Sequence, residues 1–205
     1  MTLCAENLAL LGGELCLDFI NTVENRGANQ PYEFLHSYAD LVAWSHHAGL
    51  LTSEESQRLQ HEAASRPTEA TSVLEQAIVL REILYQIFVA IVSDQPIDSE
   101  VLANLNAMLS QTFARLQIRP QQGGFAWDWN DSDRPLDRML WPILRSVAEF
   151  LTGGQLDRLG QCPGCGWFFV DGSRSRTRRW CDMQVCGNRA KVRRHYRRQR
   201  KGEGG

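Results

Sequence analysis

Cys162-Pro163-Gly164-Cys165 and, fifteen residues later, Cys181-Asp182-Met183-Gln184-Val185-Cys186 decide how this chain is read. Two close cysteine pairs at that separation have the spacing of a four-thiolate zinc site. Four sulfurs must sit tetrahedrally at about 2.3 Å from one ion. A Cys-Pro-Gly-Cys turn aims two of them at one point, and Gly164 and Gly166 supply the backbone freedom for it. Disulfides are the competing use, but they need an oxidising compartment. Met1-Thr2-Leu3-Cys4-Ala5-Glu6 lacks the basic n-region of an export signal. Cys162, Cys165, Cys181 and Cys186 are therefore the candidate ligands of one structural Zn²⁺. Cys4 and Cys16 stand apart, and Cys16, between Leu15 and Leu17, reads as a small core residue. None of the five histidines has ligand spacing to another ligand.

Working outward, Trp167-Phe168-Phe169-Val170 is β-rich and Asp171-Gly172 offers a hairpin turn, with Ser173 to Trp180 as the return arm. After Cys186 the run from Gly187 to Lys201 can form one helix. Asn188, Val192, His195, Tyr196 and Gln199 fall on one of its faces, which can pack on Trp167 or Trp180. Knuckle, hairpin and a helix starting at the last ligand make a treble clef. The helix N-terminus stabilises the last thiolate, and zinc replaces a core that so few residues could not build alone.

Charge is segregated along the 205 residues. The net charge is −2, but residues 162–205 contain 12 basic and 3 acidic side chains, +9, which leaves −11 on residues 1–161. Four thiolates and a dication contribute −2 and bring the C-terminal module to +7. Ten of its 12 basic residues are Arg, the side chain suited to bidentate contact with phosphate or guanine. Hydroxyls interleaved with Arg in the return arm add phosphate donors. A solvated basic tail, or a face that docks on the acidic part of its own chain, competes with a nucleic-acid reading. At 43% hydrophobic and 22% charged residues, a disordered or fibrous chain is excluded. Ile83 to Val92, the longest nearly apolar stretch, is too short to span a bilayer. A soluble, cytoplasmic protein is expected.

The first region reads as mainly helical with a little sheet. Leu15 to Ile20 alternates and is expected as a strand. Ser37 caps a helix carrying Leu41, Val42, Trp44 and Ala48, ended by Gly49. Thr52-Ser53-Glu54-Glu55 is a capping box for a short helix that stops before Pro67. Thr68 to Val92 is a long helix, apolar on more than one face, and so central to the core. Asp98 caps the next, through Phe113. Leu116 to Pro120 and Phe125 to Trp129 alternate around Gln121-Gln122-Gly123-Gly124 as a β-hairpin. A last helix runs from about Pro135 to Leu151, and Gly153-Gly154 opens the linker. The fold class is α+β: a mainly helical N-terminal domain with a small β-sheet over residues 1–158, then a treble-clef zinc finger over 159–205.

At Cys162-Pro163-Gly164-Cys165-Gly166-Trp167, Arg179-Trp180-Cys181-Asp182-Met183 and Cys186-Gly187-Asn188-Arg189-Ala190-Lys191 the chain resembles the CGNR zinc-finger family. Asp182 stands where a small polar residue such as Ser is usual in that family. Gly13 to Thr22, with Leu41 to Trp44, looks like the ABATE domain that precedes this finger. The resemblance implies a bacterial stress-responsive transcription regulator, with the finger as DNA reader and the N-terminal domain as a sensing or ligand-binding unit.

Three function classes follow. In a zinc-dependent DNA-binding regulator, Arg174, Arg176, Arg178, Arg179, Arg189, Lys191, Arg193, Arg194, Arg197 and Arg198 contact nucleic acid while the N-terminal domain gates the finger. A protein- or RNA-binding adaptor could use the same surface. An enzyme is not expected, since no catalytic constellation is visible. For a small-molecule effector, Asn21, Thr22, Arg26 and Trp44 are the candidate contacts. The opposite charges of the two halves also let the acidic domain compete with DNA for the arginines.

Overall fold

A 26-residue helix, α4 (Pro67–Val92), is the axis of the molecule. The computed structural model describes residues 3–133, 135–153 and 156–202, without the side chains of 197–202. Pro67 suits the first turn of α4, where its missing N–H would have no helical partner. Val73, Ala77, Leu80, Leu84, Ile87 and Phe88 recur at three- and four-residue spacing and are buried. Around it pack α1 (Leu15–Ile20), α2 (Tyr38–His47), α3 (Ser53–Ser65) and α5 (Ser99–Phe113), with α6 (Leu140–Thr152) against α1 and α5. Three expected caps are present. Ser37 accepts from the Asp40 amide. Thr52 and Glu55 exchange hydrogen bonds, at 2.7 and 3.2 Å. Asp98 accepts from the Glu100 amide at 2.7 Å.

The small sheets are three separate antiparallel pairs: β1 (Val23–Glu24) with β2 (Tyr32–Glu33), β3 (Leu116–Gln121) with β4 (Gly124–Trp129), and β5 (Leu159–Gln161) with β6 (Phe168–Val170). The 116–129 hairpin forms as its alternation predicts.

Three expectations need correction. Leu15–Ile20 is helical, not a strand. Cys16, Leu17, Phe19 and Ile20 are buried there, a helical spacing that was masked because five of the six residues are apolar. The Asp18 carboxylate accepts from the Gly12 amide at 2.7 Å and ties the approach segment to the helix start. Second, α6 begins at Leu140 rather than near Pro135. The Leu136 carbonyl is taken by the Tyr38 hydroxyl at 2.8 Å, and the Leu140 amide bonds to Asp137 instead. Third, β6 pairs with β5 upstream of the knuckle, not with the Ser173–Trp180 arm, which is irregular. That arm has no apolar face to bury, whereas Leu159 is half-buried opposite Val170.

The β5–β6 hairpin is wedged into the helical body. Phe168 and Phe169 are buried, and the Phe168 ring sits 5.8 Å from Tyr85 and 6.0 Å from Phe88. Asn21, just after α1, serves β6 as a substitute strand. Its Nδ2 donates to the Phe168 carbonyl at 2.9 Å, and its Oδ1 accepts from the Phe168 amide at 2.8 Å. The Val170 amide donates to the Gly12 carbonyl at 2.8 Å, and the Trp167 indole to the Val23 carbonyl at 2.9 Å. Next to this seam lies a charged network. Buried Arg81 grips Glu33 with two bonds of 2.7 and 2.6 Å and donates to Thr22 Oγ1 at 3.0 Å. Arg26 grips Glu82 at 2.6 and 3.0 Å and lies over the Tyr85 ring.

Burial alone would push Glu33 and Glu82 up. The hydrogen bonds and charge of Arg81 and Arg26 outweigh it and hold both carboxyls below their ordinary value. A carboxyl depressed in the folded state contributes stability that is present above its unfolded pKa and is lost as the pH falls through the folded value. The thermal midpoint should therefore fall as pH drops below about 4.3, and the fall should be shallower in Glu33→Gln; equal profiles would refute the assignment. Asn21→Ala strands two buried backbone groups of Phe168 and should destabilise the fold by about 3 kcal/mol in denaturant titration.

Candidate metal centre and basic face

Cys162 and Cys165 sit at the tip of the β5–β6 hairpin, where the Cys162 amide bonds to the Trp167 carbonyl and the Gly166 amide to the Cys162 carbonyl, both at 2.8 Å. Gly166 closes the turn at φ +83°, and a Cβ on Gly164 would stand only 3.3 Å from that of Cys186. Cys181 ends the arginine-rich loop. Cys186 lies in a single π-helical turn, Met183–Gly187, that runs into α7 (Asn188–Gly202). All four cysteines are buried, and their sulfurs lie within 4.8 Å of one another. The Cys165–Cys181 and Cys181–Cys186 sulfur pairs are 3.4 and 3.7 Å apart. A tetrahedron of thiolates around zinc has edges of about 3.8 Å. These gaps therefore fit a shared ion and are far longer than a disulfide of about 2.05 Å.

The sequence profile described as "Putative stress-induced transcription regulator", ABATE, matches residues 13–154, and the CGNR zinc-finger profile matches residues 158–199. The chain belongs to the ABATE family. A search of curated proteins finds no match. The ABATE protein thus pairs a regulator-type domain with a CGNR finger whose four cysteines form the site of one structural Zn²⁺. Neither family is of an enzymatic type. No described helix is long and apolar enough to cross a membrane.

The four thiols titrate as one interacting group. Hydrogen bonds from Cys165 and Cys181 pull the Cys162 thiol below its ordinary pKa. Bonding to Cys162 pushes Cys165 and Cys181 up, and burial with the charge of Cys162 pushes Cys186 up. One thiolate forms easily and opposes the rest, which a dication reverses. Asp182 takes no part in the ligand set. Its Oδ1 accepts from the Gln184 and Val185 amides at 2.6 and 3.2 Å, capping the turn that carries Cys186. Cys16, by contrast, is a core thiol whose pKa burial pushes up to about 12.

The basic residues divide into two groups. Arg178 is structural: it lies over the Phe169 ring and donates to the carbonyls of Val170, Trp180 and Cys181. Arg176 pairs with Asp157, and Arg189 with Glu24 at 3.4 Å. Arg174, Arg179, Lys191, Arg193 and Arg194 are exposed and have no carboxylate partner among the described residues. Arg179 stacks over the Trp180 ring, and with Arg189, Arg193 and Arg194 it lines a cleft of about 270 Å³ beside the knuckle. The side chains of Arg197 and Arg198 lie outside the described residues. The proposed packing face of the last helix is not used. Val192 and Tyr196 are 53% and 61% exposed, His195 is exposed, and Trp167 faces Val23 instead.

Of the effector candidates Asn21, Thr22, Arg26 and Trp44, the first three have internal polar partners, whereas the buried indole N–H of Trp44 has none among the described residues. Asn21 holds β6, Thr22 bonds to the Phe19 carbonyl and Arg81, and Trp44 is buried against Phe19. Arg26 pairs with Glu82 at the edge of a cleft beside the knuckle. Sequence reasoning missed Arg81, although its place in the buried register 77–81–84–88 of α4 signals a paired arginine.

Cys181→Ser should bind less than one equivalent of zinc, and chelation of the wild type should erase near-ultraviolet circular dichroism from the packed finger. Full zinc content in the variant, measured by mass spectrometry of the metal, would contradict the four-ligand site.

Proposed function

We propose that this ABATE protein is a zinc-dependent DNA-binding transcription regulator. The observation that carries the reading is α7. It leaves the metal site with residues 191–196 exposed on every side, and Arg193 and Arg194, without a carboxylate partner among the described residues, help line the arginine-rich cleft. A helix of this kind fits the major groove, where Arg reads guanine and phosphate. Zinc acts by geometry, since it joins the start of α7 to the knuckle. For the gating half of the reading, an effector is better accommodated away from Asn21, Thr22 and Trp44. A cavity of about 310 Å³ between α4, α5 and α6, lined by Gln76, Thr112, Arg115, Asp137 and Trp141, offers both polar groups and an aromatic wall.

A second reading, RNA or single-stranded nucleic acid, is favoured by one feature: exposed Arg179 over the half-buried Trp180 ring, with exposed Tyr196, suits unstacked bases. Fluorescence anisotropy with duplex DNA and with single-stranded RNA separates the two. Duplex affinity should fall with salt at a log–log slope of about −0.9 per phosphate contact, and Arg193→Ala with Arg194→Ala should make it shallower by about 2. Salt-insensitive duplex binding, or preference for the single strand, would overturn the DNA reading.

Masking by the acidic domain reduces here to named contacts. Glu24 with Arg189 and Asp157 with Arg176 are the ion pairs joining it to the candidate arginines among the described residues. Removing residues 1–158 would also uncover Phe168, so a point variant is the cleaner probe. Glu24→Gln should raise duplex affinity by about fivefold or less, as expected for a partly exposed pair. Unchanged affinity at low salt would rule out masking through this contact.

A further inference from the structure

The β3–β4 hairpin has a face for which the described residues supply no cover. In its register Leu116 lies opposite Trp129, Ile118 opposite Trp127, and Pro120 opposite Phe125. Opposed residues share a face, so one side of the ribbon carries six apolar side chains and no charge. The other side holds Gln117, Gln121 and a 2.6 Å ion pair between Arg119 and Asp128. The root of the apolar face is used, since Leu116 and Trp129 are half-buried and the Trp129 ring lies 5.6 Å from that of Trp141 on α6. The outer part is bare: Ile118 is 60% exposed, Trp127 56% and Phe125 73%. A two-stranded ribbon is marginal in water without a packed face, and contiguous exposed apolar surface marks an interface.

The chemistry of the face narrows its occupant. Arg119 and Asp128 cancel within residues 116–129, so no net positive charge is offered to phosphate. An uncharged ladder is complementary to itself, because a second copy turned about a two-fold axis meets it without burying a charge. Size agrees. At their exposures Phe125, Trp127 and Ile118 offer roughly 400 Å² per chain. With Pro120 and the adjoining backbone, two copies bury about 1,000 Å², where specific association begins. We propose that the apolar face of the β3–β4 hairpin is a homodimer interface, packed against the same face of a second copy. This inference stands on the hairpin alone and does not rest on the DNA reading.

Sedimentation equilibrium of the zinc-loaded full chain tests it. The expected mass is twice the 23.3 kDa of the chain. The double variant Phe125→Ser, Trp127→Ser should weaken the dimer by about 30-fold or more while zinc content stays unchanged, as does the thermal midpoint at concentrations where both proteins are monomeric, since both side chains are exposed in the single chain. Arg119→Ser, on the opposite face, should leave the dimer intact. A wild type that is monomeric throughout the micromolar range overturns the proposal, and so does a dimer indifferent to the double variant. Flotation of a monomeric chain with phosphatidylcholine vesicles would reassign the face to lipid and overturn it as well.

Discussion

Asn21 completes strand β6, and the geometry of the finger depends on that one side chain. A three-residue strand paired on one edge leaves the other edge with an orphan amide and carbonyl, which are costly to bury. The Asn21 amide meets both at 2.8 and 2.9 Å and lets Phe168 enter the aromatic group formed by Tyr85, Phe88 and Phe150. The hairpin is thereby fixed to the helical body, the knuckle to the hairpin, and α7 to the knuckle through zinc. Each step is short and stiff, so α7 projects in a defined direction although residues 191–196 are exposed on every side. The Arg81–Glu33–Thr22 and Arg26–Glu82 contacts brace the segment that presents Asn21.

What could be read from the sequence follows the range of the forces involved. Metal coordination imposes short, stereotyped spacing, so Cys162, Cys165, Cys181 and Cys186 announced themselves. Helix caps are equally local, and Ser37, Thr52 with Glu55, and Asp98 were legible for that reason. The Leu15–Ile20 run was not, because a segment with one polar residue carries no period to distinguish strand from helix. The partner of β6 was misassigned for a related reason: Asp171-Gly172 is a good turn signal, but the Asp171 carboxylate instead binds the Ser173 and Arg178 amides, both at 2.8 Å, and curls the arm into a loop. Asn21 is the extreme case. Its partner is 147 residues away, so nothing local shows that a polar residue offered as a ligand contact also joins two sequence regions.

Charge segregation looks different once placed in space. Halves of −11 and +9 attract, yet the contact between them is apolar at Phe168 and Trp167 and is hydrogen-bonded by neutral groups. Ion pairs are confined to its edge. Attraction between the remaining exposed charges is screened beyond about 8 Å at physiological ionic strength. The seat of the finger is therefore less exposed to salt than the outward arginines are.

Helix α6 sets the spacing of the remaining parts. Trp141, near its start, supports the β3–β4 hairpin through Trp129, and Phe150, near its end, meets Phe88 beside the finger. Nine residues of helix separate them by about 14 Å. Sites this far apart with no shared partner respond additively to substitution, so a change at Phe125 or Trp127 leaves the metal centre untouched and the two surfaces can be dissected independently. The same helix also lines the cavity that contains Arg115 and Trp141. Arg115 stacks on Trp141 and immediately precedes β3, so whatever fills that cavity bears directly on the root of the hairpin. The route from cavity to hairpin is one residue long, whereas the route to the finger runs the length of α6.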